Sequence, residues 1–324
     1  PPGSGVDQAA RKAGIRVQNL FCAGDLDLPF AYRLTQYLKE LQPDLVHCHS
    51  RRGADMLGGM AASFADIPAV VSRRVDNTEM RLVAALRYRP FRKVIAISET
   101  IARVLREHGV ADDRIEVIRS AVDTGQLSRP ADCGKVREEL AVPADACVVA
   151  AAGQLIPRKG HRYLLQAVAD LHRRFPQLRL VIFGEGYLNN QLRAQSASLG
   201  LGDVVQFAGF RDDLDDFMGC IDIFAHPALA EGLGVATLKA AAAAVPVVGF
   251  AAGGLPEAVV DGETGVLVPP EDVDALSRAL ATLIGDADLR RRMGAAGQDR
   301  MQKEFSIATM ADKHVNLYET ILNG

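Results

Sequence analysis

Long apolar runs are missing from this chain. No uninterrupted hydrophobic stretch reaches the roughly 20 residues that a membrane-spanning helix needs, and the opening Pro1-Pro-Gly-Ser-Gly5 has none of the segments of a secretory signal. No Cys-x-x-Cys pair occurs. The five cysteines, Cys22, Cys48, Cys133, Cys147 and Cys220, are scattered and odd in number, which argues against a disulfide framework and predicts reduced, mostly buried thiols. With a net charge of only −3 there is no global attraction to nucleic acid, so none is expected as a partner. His47-Cys48-His49 has no second ligand cluster to join it, and adjacent side chains on a strand point to opposite faces, so no metal is expected there. No Gly-x-Gly-x-x-Gly opens a strand-helix unit, which removes the fingerprint of a nicotinamide dehydrogenase. These absences leave a soluble, cytoplasmic globular protein as the expectation.

What is present fits an enzyme-sized α/β protein. At 324 residues, 48% hydrophobic and 24% charged, the chain is long enough for two domains with cores of their own. Strand-like runs alternate with helical patterns from end to end, as parallel sheets wound with helices require. In the first half the strand candidates are Ile15-Arg-Val17, Leu45-Val-His47, Ala69 to Ser72, Lys93 to Ser98 and Ile115 to Ile118, with helical patterns over Phe30 to Leu41, Gly53 to Ala65 and Glu99 to His108. The second half repeats the scheme with Cys147 to Ala152, Leu178 to Phe183, Val204 to Phe207, Ile221 to Ala225, Val245 to Phe250 and Gly265 to Val268. Two doubly wound, Rossmann-like domains are the economical solution. Periodicity breaks between Asp123 and Pro143, around Ser128-Arg-Pro-Ala-Asp-Cys-Gly134, which places the seam there.

The most informative segment is Glu231-Gly-Leu-Gly-Val-Ala-Thr-Leu-Lys239, which sets a carboxylate and two glycines ahead of a helix start, where unpaired backbone N–H groups favour an anion. Upstream stand Gly153-Gln-Leu-Ile-Pro-Arg-Lys159-Gly160, Val181-Ile-Phe-Gly184-Glu-Gly186, Val205-Gln-Phe-Ala-Gly-Phe-Arg211 and Phe224-Ala-His-Pro227. Downstream comes Pro246-Val-Val-Gly-Phe-Ala-Ala-Gly253-Gly-Leu-Pro-Glu257. In this order the segments resemble the second domain of the retaining, nucleotide-sugar-dependent glycosyltransferases of family 4, whose two-domain architecture is called GT-B. Several ordered segments over about a hundred residues are far more specific than one motif.

The resemblance implies two Rossmann-like domains facing across a cleft: 1–128 with a returning terminal helix over 303–324 on the acceptor side, and 129–302 on the nucleotide-sugar side. It implies that Lys159, with Arg158 beside it, neutralises charge growing on the departing nucleoside diphosphate without a metal or other cofactor, and that Glu231 holds the donor sugar. Gly153, Gly184, Glu185, Gly232, Leu233 and Gly234 would line the donor site, with backbone groups of Phe210 and Arg211 at the base. The family's second glutamate is replaced here by Lys239. Eight residues at about 1.5 Å each span up to about 12 Å, so the spacing survives, but a lysine can only donate. Gln154 likewise stands where arginine is common. On the acceptor side His49 ends one strand, and Arg74 replaces a histidine, which suits an anionic acceptor.

Ordinary alternatives exist for each of these positions. Arg158 and Lys159 would pass as solvated helix-start charges, Glu231 as a residue complementing a helix dipole, Gly184 and Gly186 as a tight turn, and His226 as a satisfied strand-end histidine. From Arg73 to Lys93 seven basic residues face Asp76 and Glu79, a stretch expected either to approach an anionic membrane surface peripherally or simply to be solvated. Proteins of this architecture open with a strand and a glycine-rich loop that lie ahead of the present start, so the first domain is expected to lack its first strand. The implied activity is transfer of a sugar to a saccharide, glycolipid or lipid-linked acceptor. Alternatives are a catalytically impaired binding module, favoured by Lys239, Gln154 and Arg74, and a nucleotide-sugar epimerase.

Overall fold

The computed structural model describes residues 3–24, 27–49, 54–75, 79–129 and 131–324. Gly53, Asp76 and Pro130 lie outside the described residues. The chain divides into two units, one comprising Pro1–Ala96, Ala102–Val117 and Val315–Gly324, the other Ile97–Ile101 and Ile118–His314.

The first unit is built on four parallel strands, β1 (Val46–Cys48), β2 (Ala69–Arg73), β3 (Lys93–Ala96) and β4 (Ile115–Val117), in spatial order β1-β2-β3-β4. A parallel sheet is covered on both faces, so its inner strands are continuous apolar runs rather than alternating ones. Val70, Val71, Val94 and Ile95 accordingly have at most 1% of their surface exposed. Helices Leu28–Leu41, Ala54–Phe64 and Glu99–Glu107 fall close to the expected bounds, and a further helix, Arg81–Tyr88, forms where none was expected. Asp27 caps the first of them by accepting from Phe30 N, and Pro29 sits in its opening turn, where the missing N–H costs nothing.

One expectation needs correction here. Ile15-Arg-Val17 forms no strand, and Ile15 is 61% exposed. A strand exists only where a neighbouring edge satisfies its backbone groups, and among the described residues β1 pairs with β2 alone. The start of the chain instead forms a helix, Gly5–Lys12, where Ser4 accepts from Asp7 N at 3.3 Å and Asp7 pairs with Arg11 at 2.9 Å.

The second unit has six parallel strands, β5 (Cys147–Ala152), β6 (Leu178–Phe183), β7 (Val205–Gly209), β8 (Ile223–His226), β9 (Val247–Phe250) and β10 (Gly265–Val268), in order β10-β9-β8-β5-β6-β7. The chain starts in the middle, winds outward through β6 and β7, then returns to the other side of β5 for β8. That reversal creates a crevice at the carboxyl ends of β5 and β8, the place where open α/β sheets bind ligands. All six residues of β5 are buried, and they alternate between two cores: Val148, Ala150 and Ala152 face one with Phe183 and Phe224, while Val149 and Ala151 face the other with Leu164 and Phe250.

The cysteine expectation fails in this unit. Cys133, in the first turn of the helix Cys133–Glu139, is disulfide-bonded to Cys220, just past the helix Leu214–Met218, across a sequence separation of 87. The fold brings the start of one helix to the residues just past the other, with the two cysteine Cα atoms 5.2 Å apart, an adjacency that spacing along the chain hides. Of the remaining thiols Cys22 is exposed, Cys48 half-buried and Cys147 buried. Among the described residues, no helix is long and apolar enough to cross a membrane.

Candidate active site

The crevice is assembled from two loops that the backbone ties together. After β5 the chain turns through Pro157–Lys159 and reaches Gly160, whose φ of +69° suits glycine; a Cβ there would lie 1.8 Å from the carbonyl oxygen of Pro227. After β8 the chain runs through Pro227 to Gly234, and Leu229 N donates to Arg158 O at 2.8 Å. The Gly-Gly-x-Pro-Glu turn has its physical explanation here as well. Gly253 (φ +57°) packs against the backbone of Glu231, where a Cβ would meet Glu231 O at 2.2 Å, and Gly254 N donates to that same oxygen.

This zipping brings Lys159 against Glu231. Lys159 Nζ and Glu231 Oε2 form an ion pair, with 15% and 16% of their side chains exposed. His226, the last residue of β8 and buried, lies with Nε2 3.4 Å from the same Oε2, and Gly232 N donates to Oε1 at 3.2 Å. Burial pushes the Glu231 carboxyl up, but the His226 contact and the Lys159 charge outweigh it and bring it down to about 2. Glu231 is therefore a carboxylate at any ordinary pH.

Above this cluster a cavity of about 530 Å³ is lined by Gly153, Gln154, Lys159, Gly184, Glu185, Phe210, Arg211, Leu214, His226, Glu231, Gly234, Val235 and Ala236, among others. The helix Val235–Ala242 starts at its wall. Its N-cap Gly234 has no side chain to offer, and the first intrahelical donors are Thr237 N and Leu238 N. The N–H groups of Val235 and Ala236 thus precede the helical ladder and stand at the cavity, with the positive end of the helix behind them. A cation, a helix tip and a carboxylate converge on one pocket, an arrangement that can hold an anion beside a hydroxyl-bearing group.

Among the described residues Arg158, Gly232, Leu233 and Lys239 do not line this cavity. Successive residues of a 3₁₀ turn point about 120° apart, so Lys159 and Arg158 cannot both face it. Lys239 is gripped by both carboxylate oxygens of Asp215, at 2.6 and 2.9 Å. Arg211 lies over the Phe217 ring at 4.4 Å and is paired with Asp213 and Glu139, hydrogen bonds that raise its already high pKa. Asp215 and the His226–Glu231 contact escaped sequence reasoning. Asp215 is one acid in the run Asp212-Asp-Leu-Asp-Asp216, where nothing marks which carboxylate will find a lysine, and His226 carried no signal beyond ending a strand.

In the first unit His49 and Arg74 follow the carboxyl ends of β1 and β2, and both are exposed. The His49 ring lies 3.7 Å from that of His47, which contacts Ser72 Oγ through Nε2 at 2.8 Å and Tyr318 OH through Nδ1 at 2.5 Å. The basic stretch is less positive than its composition suggests. Arg73 pairs with Glu79 at 3.0 Å, Arg87 with Asp55 and Glu79 at 3.0 Å each, and Lys93 donates to a backbone carbonyl. A larger cavity, about 660 Å³, is lined by Arg89, Arg92, Arg114 and Asp66. It opens near Pro68 and Arg92, before the amino ends of β2 and β3, the wrong end of a parallel sheet for a substrate site.

Comparison with known proteins shows the family and the fold. The sequence pattern of the family described as Glycosyl transferases group 1 matches residues 134–300, and that of Glycosyltransferase Family 4 matches residues 2–126. The chain belongs to the group 1 glycosyl transferases. It is 33% identical over 203 residues to the lipopolysaccharide core biosynthesis glycosyltransferase LpsE of Rhizobium meliloti, covering 63% of this chain and 57% of that protein. It is 35% identical over 194 residues to the GDP-mannose-dependent alpha-(1-6)-phosphatidylinositol monomannoside mannosyltransferase of Mycolicibacterium smegmatis, covering 57% of this chain and 50% of that one. The chain thus spans little more than half the length of these relatives. Anabaena Alr3699/HepE, solved in complex with UDP, superposes with a TM-score of 0.86 at 24% identity over 97% of this chain and 88% of that one, which shows the GT-B fold.

Proposed function

We propose that this protein transfers a sugar, with retention of anomeric configuration, from a nucleoside-diphosphate sugar to an acceptor hydroxyl in the assembly of a cell-surface polysaccharide, lipopolysaccharide or glycolipid. The convergence of Lys159, the open N–H groups of Val235 and Ala236, and Glu231 on one cavity carries the reading. The diphosphate sits on the helix tip and Lys159, which take up the negative charge that grows as the sugar–phosphate bond breaks. Glu231 orients the sugar through its hydroxyls. The acceptor hydroxyl attacks from the face the leaving phosphate vacates, and its proton passes to the phosphate oxygen; the protein's part is orientation and charge stabilisation. No metal cofactor enters this scheme. A nucleotide donor is supported by the GDP-mannose dependence in the name of one relative and by the UDP bound to HepE.

His49 and Arg74 serve the acceptor in this proposal, and the exposed Arg81, Arg89 and Arg92 favour peripheral contact with an anionic membrane surface from the cytoplasm. The test is incubation with a panel of UDP-, GDP- and ADP-sugars and saccharide or glycolipid acceptors, with the product's anomeric configuration read by NMR. Retained configuration with turnover abolished in Lys159→Ala is expected. Inverted product would refute retention, and nucleotide binding without any turnover would instead identify a binding module, which the capture of Lys239 by Asp215 favours.

A further inference from the structure

Among the described residues three groups reach the Glu231 carboxylate, and one of them is needed elsewhere. Lys159 neutralises the carboxylate in this structure, yet a bound diphosphate attracts the same ammonium. Once Lys159 turns to phosphate, Glu231 is left as a carboxylate with only 16% of its side chain exposed, and a buried charge that loses its partner is strongly destabilised. Among the described residues the side chain still in reach is His226, with Nε2 3.4 Å from Oε2. His226 is fixed: it is 3% exposed, it ends a central strand, and its ring stacks on Phe224 at 6.3 Å with an interplanar angle of 17°.

We propose that His226 is a positioning residue that takes over Glu231 when phosphate draws Lys159 away, keeping the carboxylate aimed at the sugar. The inference deepens the transferase reading and rests on it for the activity arm of the test. Lys159 is thereby free to be exchanged between two anions without Glu231 swinging out of place. The charged and titratable groups around the pair are Lys159 from the loop after β5, Glu231 itself, and His161 at the start of the following helix, whose own titration is pushed down to about 4 by burial and by His226.

The decisive experiment imitates the drawn-off lysine. A double-mutant cycle measures the unfolding equilibrium of the wild type, Lys159→Met, His226→Leu and the double variant in urea. With Lys159 removed, Glu231 depends on His226, so His226→Leu is expected to raise the unfolding constant about tenfold more in the Lys159→Met background than in the wild type. Adding Glu231→Gln to the double variant is expected to restore most of that loss. Equal effects of His226→Leu in both backgrounds overturn the proposal, with no assumption about activity. In the activity arm, His226→Leu lowers kcat by about 100-fold at little change in donor KM, and His226→Gln, which keeps an N–H near the Nε2 position, recovers part of it. Equal kcat values for the Leu and Gln variants overturn the positioning role. Absence of turnover in the wild type would count against the transferase reading, while the unfolding cycle would still decide the role of His226.

Discussion

Replacing Lys159 by Met removes a charge while keeping the length and apolar stem of the side chain, so it isolates the electrostatic part of the Lys159–Glu231 pair. Glu231 ordinarily titrates near 4.5 and is brought down to about 2 here. That difference corresponds to about 3 kcal/mol of stabilisation of the folded state. The His226 contact, which the variant keeps, supplies part of that difference, and a pair with about 15% of each side chain exposed is partly screened, so a loss of about 1–2 kcal/mol at pH 7 is the expected outcome for Lys159→Met. Because the folded pKa is depressed, the contribution of Glu231 is fully present above about pH 5 and is lost as the pH falls towards 2. The gap between wild type and Lys159→Met in urea midpoints should therefore shrink over that window. In a Glu231→Gln background it should be small at every pH. A gap of the same size at pH 7 and pH 3, or one that persists in Glu231→Gln, would refute the electrostatic account and leave only lost packing.

Three further outcomes are expected. Reduction of the Cys133–Cys220 bond, or the paired Cys→Ser variant, should cost about 4 kcal/mol by loop-closure entropy, seen as a lower urea midpoint; an unchanged midpoint would mean the bond does not cross-link the folded protein in solution. Gly160→Ala should destabilise by at least 1–3 kcal/mol and weaken nucleotide binding, since its Cβ would collide with Pro227 O, a contact that joins the two loops of the site; a tolerant position by calorimetry and denaturation would contradict the close approach. Asp215→Asn should change stability by less than about 1 kcal/mol, the pair with Lys239 being a quarter to a third exposed, and freeing the ammonium should tighten binding of a nucleoside diphosphate measured by calorimetry.

Much of this fold was legible in the residues. β5, β6 and β10 fall on their apolar runs to the residue; for β5 and β6 the reason is that a strand buried on both faces leaves little room for another assignment. The strand expected at Ile15 was lost because an apolar run is a strand only in the presence of a partner edge, and pairing is a property of the whole sheet. At the site, Lys159, Glu231 and the glycines were visible as an ordered set of motifs, while the division of labour between Arg158 and Lys159 was not: a 3₁₀ turn, whose direction depends on the packing of Gly160 against Pro227, decides which cation faces the cavity.

Membership of the group 1 glycosyl transferases, the two parallel sheets and the motif proposed here to hold an anion were written in local patterns, since apolar periodicity, turn glycines and helix-start chemistry act over a few neighbouring residues. Which side chains touch was settled only by tertiary structure. Cys133 meets Cys220, Lys239 meets Asp215, and His226 stands behind Glu231 because separate stretches of chain converge on shared surfaces. Charge and hydrogen bonding fall off within a few ångströms, so these partnerships depend on distances in space that residue numbers do not carry.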